Sequence, residues 1–306
     1  MSVHRFEPEF FYNTIGAHSP VLHISDGDSV FTNTIDAHGL DKKGDTVAKR
    51  GNPMTGPFYI EGAEPGDALA IYLDYIYPNR NWGWTANATA VNVVEPQFIQ
   101  NLNKREILRW DINLQDGIAR ISEVAPPLDK LKFSLAPFMG CFGVAPSQGQ
   151  TISTETSGNY GGNMDYRGFV AGTIVYFPIF VEGALLHFGD GHAFQGDGEI
   201  LGTGLEVSMD IRFTVKLIKQ KKIRWPRGES ATHIFTVGNA RPLEQAVQHA
   251  TTEMLHWLTE DYNLSMTEAN ILLGQCVEYE LGNIYNPAYT MVCKVKKAIL
   301  SEIGQI

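Results

Sequence analysis

The segment Glu206–Leu217 constrains the fold more than any other stretch. Val207, Met209, Ile211, Phe213, Val215 and Leu217 alternate with Glu206, Ser208, Asp210, Arg212, Thr214 and Lys216. A helix repeats its faces every ~3.6 residues, so a strict period of two predicts one long strand with one buried face and one wet face. A single wet face belongs to antiparallel sheet, because parallel sheets are covered on both sides. Glu206 and the other polar residues of the run are therefore expected in water.

Ala68–Ile76 repeats the pattern, with Leu69, Ile71, Leu73 and Tyr75 alternating with Ala70, Tyr72 and Asp74. It follows Glu64-Pro65-Gly66-Asp67, where Pro65 presets φ for a type II turn and Gly66 tolerates the positive φ of the next position. The 30 glycines fall between apolar runs, as turns between strands require. Gly168–Phe188 carries a single charge, Glu182. Pro178 and the glycines divide it, so two buried strands, Val170–Phe177 and Ile179–Phe188, are expected rather than a membrane span.

Helix is expected only near the C-terminus. Leu243, Ala246, Ala250, Met254, Trp257 and Leu258 predict an amphipathic helix from Pro242 to Thr259, with Pro242 in its first turn. Ser265-Met266-Thr267-Glu268 is a capping box for a shorter helix that Gly274 is expected to end. The fold class is mainly β, an antiparallel sandwich plus a small C-terminal α/β part. One domain is expected over residues 1–306, with a β-rich body over 1–225 and a helix-containing portion over 226–306.

Lys and Arg number 24 against 34 Asp and Glu, a net charge of −10. Such a surface repels phosphate backbones, so nucleic acid is not expected as a partner. The one basic cluster, Lys219–Arg224, reads as a turn. Cys141, Cys276 and Cys293 form no CxxC pair, which argues against a disulfide scaffold or a cysteine zinc knuckle and fits a reducing, cytoplasmic setting. No apolar run opens the chain, so neither a secretory signal nor a membrane partner is expected.

Candidate chemistry concentrates in His187–Glu199, where Asp190, His192, Gln195, Asp197 and Glu199 are spaced by glycines. Asp190 and His192 are two apart, so an extended backbone projects both from one face. A carboxylate with an imidazole suits zinc, which accepts O and N ligands. A solvated acidic loop is the alternative, and the residue order excludes an EF-hand. Asp36 and His38 repeat the layout. Two such pairs on neighbouring strands would supply four ligands, or three with a position open for water; alone, His38 reads as a hydrogen-bonding residue at a strand end. In Gly158–Asp165, Gly161 and Gly162 admit close approach to the backbone, and Asn163 offers the donor and acceptor that match an amide. A plain turn is the alternative there. The chain has no G-x-S-x-G elbow, Walker A loop or H-E-x-x-H helix. Cys141, flanked by apolar residues and lacking an adjacent base, reads as a buried structural thiol.

Taken in order, GPFYIEGAEPGD at 56–67, GCFGVAP at 140–146, GGNMD at 161–165, GDGHAFQGDGE at 189–199 and GTGLE at 202–206 resemble the acetamidase/formamidase family. The resemblance runs from about Val21 to Asn286. It implies hydrolysis of short aliphatic amides to a carboxylate and ammonia, a jelly-roll-like sandwich with peripheral helices, and a homodimer. It also implies a polar core of Asp36, Asn163, Asp165, Asp190, His192, Gln195, Asp197, Glu199 and Glu206. His38 matches a variant with His-Gly after the acidic residue, and Tyr160 stands where some members carry His.

The expected mechanism places a divalent ion, zinc or alternatively calcium, on Asp36, His38, Asp190 and His192. Glu199 serves as general base, and Asp197 orients Glu199 or His192. Asn163 and the Gly161–Gly162 amides steady the carbonyl oxygen, while Gln195 and Asp165 contact substrate. A different class is also open: a non-catalytic, calcium-stabilised β-sandwich module for sugars or small polar ligands, favoured by the oxygen-rich run 190–199.

Overall fold

The computed structural model describes residues 1–122 and 124–304. The alternating segment forms the strand Met209–Ile218, hydrogen-bonded antiparallel to Ser29–Thr34 on one side and Ala68–Pro78 on the other. Burial alternates along Met209–Lys216 as the period requires. The ladder starts at Met209, however, and Glu206 and Ser208 are buried at 2% and 0% exposure. The expectation that they face water is corrected: they precede the wet part of the strand and turn into the interior.

These strands belong to a nine-stranded sheet that continues through Ile174–Pro178, Arg227–Glu229, His233–Ala240, Tyr289–Lys296 and Glu278–Asn283, with Val3–Arg5 on the opposite edge. A six-stranded sheet runs Ser157–Gly158, Gly161–Asn163, Phe138–Gly143, Leu186–His192, Thr55–Ile60, Leu22–Ile24. The two sheets face each other across an aromatic core. Phe58 and Phe188 of the second meet Phe213 of the first at 5.2 and 4.5 Å between ring centres, and Phe142 meets Phe177 at 5.3 Å. Trp82–Ala86, Ile107–Asn113, Ile118–Ile121 and Phe133–Ser134 form a further antiparallel sheet. Most ladders are antiparallel; Val3–Arg5 with Ser29–Thr34, and Leu22–Ile24 with Thr55–Ile60, are parallel.

The turn before Ala68 has the expected form, with Gly66 at φ +97° and the Asp67 amide donating to Glu64 O at 3.1 Å. The apolar run 168–188 divides differently from the prediction. Its strands are Ile174–Pro178 and Leu186–His192. Gly183, Ala184 and Leu185 take positive φ between them, so the second strand starts later than Ile179. Part of that run is apolar because a loop is buried, not because a strand passes through it. Lys219–Arg224 lies in the irregular link after Met209–Ile218.

Helix α1, Leu243–Glu260, follows Pro242, and α2, Met266–Cys276, opens on the reciprocal Ser265–Glu268 capping box. Gly274 does not end α2, which runs on to Cys276. Both helices pack on the far end of the nine-stranded sheet, where Ala250, Met254, Trp257, Leu258 and Leu273 meet Ile234, Cys293 and Val295 in a second core. Gly238 permits this, since a Cβ there would lie 2.0 Å from Ala246 O. A short helix, α3 (Lys297–Glu302), closes the described chain. Among the described residues no helix is long and apolar enough to cross a membrane. Cys141 is fully buried and burial pushes its thiol well up, as a structural cysteine requires.

Candidate active site

Glycine spacing in Leu186–His192 sets which way its chemistry points. Gly189 and Gly191 lie against Met54 and Met209, where a Cβ would come within 2.5 and 2.3 Å. Asp190 and His192 consequently project from the other face of the strand. Gly140, on the adjacent strand, clears the space between two acids: a Cβ there would sit 2.5 Å from Asp165 Oδ1 and 2.8 Å from Asp190 O. Asp165, Asp190 and Glu199 hold φ values of 45°, 55° and 47°. Such left-handed backbone is uncommon outside glycine and gathers at sites where the surroundings over-determine it.

Around this platform four carboxylates and one imidazole converge. His192 Nε2 lies 2.9 Å from Glu206 Oε1 and 3.5 Å from Asp190 Oδ1. Ligand atoms of Asp165, Asp190 and His192 come within 4.8 Å of one another, as do those of His192, Glu199 and Glu206, and all five residues are buried. Gln195 fixes the imidazole from behind, its Oε1 2.8 Å from His192 Nδ1 while its amide donates to Asp165 O at 2.8 Å. Asn286 Nδ2 donates to Asp165 Oδ2 at 2.6 Å. Asn52 Nδ2 donates to Asn163 Oδ1 at 3.1 Å and to Asp190 Oδ2 at 3.2 Å.

Among the described residues the imidazole of His192 is the counter-charge set against four acids. Burial, followed by mutual repulsion among the acids, raises Glu199 and Glu206 to about 8 and Asp165 well above the usual carboxylate range. Burial disfavours a charged His192, yet Glu206 and Asp190 outweigh it and raise the proton affinity of the imidazole. Asp165 Oδ1, His192 Nε2, Glu199 Oε2 and Glu206 Oε2 are buried without a well-aligned hydrogen-bond partner. Buried polar atoms are nearly always paired, so a group of orphans aimed at one another marks a place for a cation or a polar ligand. The cluster opens on a cavity of about 580 Å³ whose wall includes His38, Trp84, Asn163, Asp190, Glu199 and Glu206.

The structure brings together only part of the expected set. Asp190 and His192 meet, with Glu199 beside them. Asp36 lies elsewhere: Oδ2 accepts from Arg80 Nη2 at 2.7 Å and Trp84 Nε1 at 3.1 Å, and Oδ1 accepts the amides of His38 and Leu40 at 3.0 and 2.9 Å. With both oxygens occupied it is outside the converging ligand groups, and so is His38. His38 instead stacks on Trp84 at 3.7 Å in the cavity wall, its Nε2 buried without a partner. Asp197 points away, half-exposed and paired with Arg167 Nε at 2.5 Å. Gly161 and Gly162 are in register with Phe142 and Gly143 on one side and Ser157 and Gly158 on the other, within the sheet and outside the cavity wall. Asp165 and Gln195 stand behind the wall and support Asp190 and His192.

Asn52 and Asn286 escape a reading by spacing, being isolated asparagines brought in by distant loops. Glu206 escapes the alternation argument, although it ends the GTGLE motif. Only that motif, by resemblance, gives it away.

A β-sandwich with an acid–imidazole cluster at the base of a concave cavity is the framework of a small-molecule site. A sequence profile of the Acetamidase/Formamidase family matches residues 18–157 and 148–249, and the chain belongs to that family. It is 27% identical over 248 residues to an acetamidase of Mycolicibacterium smegmatis, covering 62% of this chain and 59% of that one. It is 27% identical over 209 residues to a formamidase of Methylophilus methylotrophus, covering 54% and 51%. The chain thus spans between about half and three fifths of the length of these curated relatives. Among solved structures, an acetamidase from Yersinia enterocolitica superimposes with a TM-score of 0.85 at 32% identity, covering 97% of this chain and 93% of that one. A predicted acetamidase/formamidase from Thermoanaerobacter tengcongensis gives 0.86 at 27% identity, with 99% of both chains covered.

Proposed function

We propose that this protein hydrolyses short aliphatic primary amides, of the formamide or acetamide kind, to a carboxylate and ammonia with a divalent ion. The observation that carries the reading is the buried acid–imidazole cluster, four of whose polar atoms lack partners beside the cavity. Family membership supports the amide as substrate.

The orphaned atoms fit a cation. Asp165, Asp190 and His192 would hold it, with Glu206 on the other side of His192; Asp165 and Glu206 take the place expected for Asp36, and His38 moves to the wall. One nitrogen among oxygens suits zinc, and the excess of carboxylates keeps calcium as the alternative. When bound, a divalent ion supplies Lewis acidity and makes water a stronger acid, with a pKa near 7 on zinc.

The chain's own residues do the rest. Glu199, whose Oε2 is buried without a partner beside His192 and Glu206, takes a proton from the attacking water and returns it to the leaving nitrogen. Asn163 accepts from Asn52 through Oδ1, which leaves its Nδ2 to donate to the substrate carbonyl as negative charge develops. Burial and the charge of Arg50 lower the proton affinity of His38, so its neutral Nε2 is available to the amide NH₂. We take the working unit to be a cytoplasmic homodimer, which sedimentation and fractionation check.

Metal analysis run beside an ammonia assay on formamide, acetamide and propionamide tests the reading. Chelation should abolish ammonia release and re-addition of the ion should restore it. Glu199→Gln should lower kcat by about 10²–10⁴-fold while the ion stays bound. Turnover that survives thorough chelation removes the metal from the mechanism. Calcium with no ammonia from any amide would leave the binding-module reading in its place.

A further inference from the structure

The cavity is much larger than a two-carbon amide needs. Its 580 Å³ falls within the ~300–1,000 Å³ typical of pockets for drug-sized ligands. Acetamide, one methyl beside a carboxamide, fills a small part of it.

The wall also changes sign from base to rim. Asp190, Glu199 and Glu206 are buried at the base, whereas Arg50, Arg105 and Arg241 line the same cavity and are exposed, with Glu155 the acid among them. Arg80, Arg167, Arg224 and Arg227 each have a carboxylate partner, whereas Arg5, Arg109, Arg120 and Arg212, away from this wall, show none among the described residues. Among the described residues, none of the three rim arginines has a carboxylate within 4.0 Å.

Two of the three are held in position. Arg105 donates to Leu201 O at 2.5 Å and Gly202 O at 3.2 Å, with its guanidinium over Tyr285 at 5.4 Å. Arg241 lies over Tyr289 at 4.9 Å. Arg50 acts electrostatically on His38 at the wall. In a chain of net charge −10, three arginines without a carboxylate partner at one opening offer positive charge to an anion. The planar guanidinium fork matches a carboxylate in particular.

Resting on the amidase reading, we infer that the preferred substrates are monoamides of short dicarboxylic acids, the carboxamide at the acidic base and the carboxylate against Arg50, Arg105 and Arg241. The reaction consumes one water. The C–N bond breaks, a C–O bond forms, and the monoamide anion becomes a dicarboxylate dianion plus ammonium, which conserves charge. A neutral aliphatic amide fits the base and leaves the rim unused.

The test compares kcat/KM of the metal-loaded enzyme for succinamate and glutaramate with butanamide and pentanamide, their neutral counterparts. At low salt the anionic member of each pair should be preferred by about 10- to 100-fold, the scale of a charge-assisted hydrogen bond. The double substitution Arg50→Gln/Arg241→Gln should drive that ratio towards one, and Arg105→Gln should reduce it. Raising ionic strength should shrink the ratio in the unsubstituted enzyme, an arm that needs no variant. A ratio near one with both amides hydrolysed overturns this inference and leaves the amidase reading intact. Ammonia from the neutral amides alone does the same. No ammonia from any amide overturns both.

Discussion

Asp36 and Asp190 begin the same Asp-x-His spelling, and both are buried. At Asp36 every oxygen is satisfied by Arg80, Trp84 and two backbone amides, and the charge is neutralised within 2.7 Å. At Asp190 the neighbours are Asp165 and an imidazole that Glu206 also contacts, and the nearby hydrogen bond comes from the neutral amide of Asn52. Spacing sets only the direction in which two side chains leave the backbone. Their role follows from what the rest of the fold supplies as compensation. Where a guanidinium is built in, the acid's charge is matched within the fold; at Asp190, among the described residues, no guanidinium is supplied.

Arg80→Met breaks the first arrangement and should have the largest effect. It strands a buried carboxylate and should cost about 3–5 kcal/mol, read as a shift in the denaturant midpoint at constant slope. Asp190→Asn should behave in the opposite sense. The metal-free protein should keep or gain stability as repulsion is relieved, while its capacity for the ion falls. Equal destabilisation by both substitutions would erase the distinction between the two segments.

The same contrast explains what was legible in the sequence. Alternation over 206–217 marks the strand that runs 209–218, and the Pro-Gly and Ser-x-x-Glu signals mark the turn and the capping box, because each depends on residues close in the chain. It failed at Glu206, where burial is set by contacts with Trp84 and His192 that come from elsewhere. Asp190, His192 and Glu199 were visible because one glycine-rich segment carries them. Asp36 has the same spacing as Asp190, but its partner, Arg80, lies 44 positions away, and no local pattern announces such a pairing. The arginines at the rim were invisible for the same reason: they meet only in three dimensions.

A second comparison lies within one strand. His187 and His192 are both fully buried in Leu186–His192, yet carboxylates raise His192 while burial, with a smaller contribution from His18, lowers His187 to about 3. His187 is therefore neutral in the folded protein and protonates in the unfolded chain near its ordinary value of 6.5. The unfolded state binds more protons below that pH, so this group's contribution is complete above 6.5 and is lost as pH falls towards 3. The loss should amount to about 2–4 kcal/mol. His187→Phe should flatten the stability profile in that window relative to the unsubstituted protein. A profile of unchanged slope would show that His187 is not held neutral.

The smallest effect concerns how His192 is aimed. Gln195 Oε1 stands 2.8 Å from Nδ1 and accepts its proton, and the Gln195 amide is anchored on Asp165 O. The bond assigns the proton to Nδ1 and leaves Nε2 to face Asp190 and Glu206, the orientation a ligating imidazole needs. Asp36-x-His38 has no counterpart to this brace: His38 is positioned by stacking on Trp84. Gln195→Leu should therefore weaken metal affinity by about 10–100-fold in competition with a chelator, with the stoichiometry at saturation unchanged. A matching substitution at Trp84 should leave that affinity largely intact, because His38 lies outside the ligand group. If the two variants lose metal to the same extent, His38 belongs among the ligands after all, and the separation drawn between the two Asp-x-His segments fails.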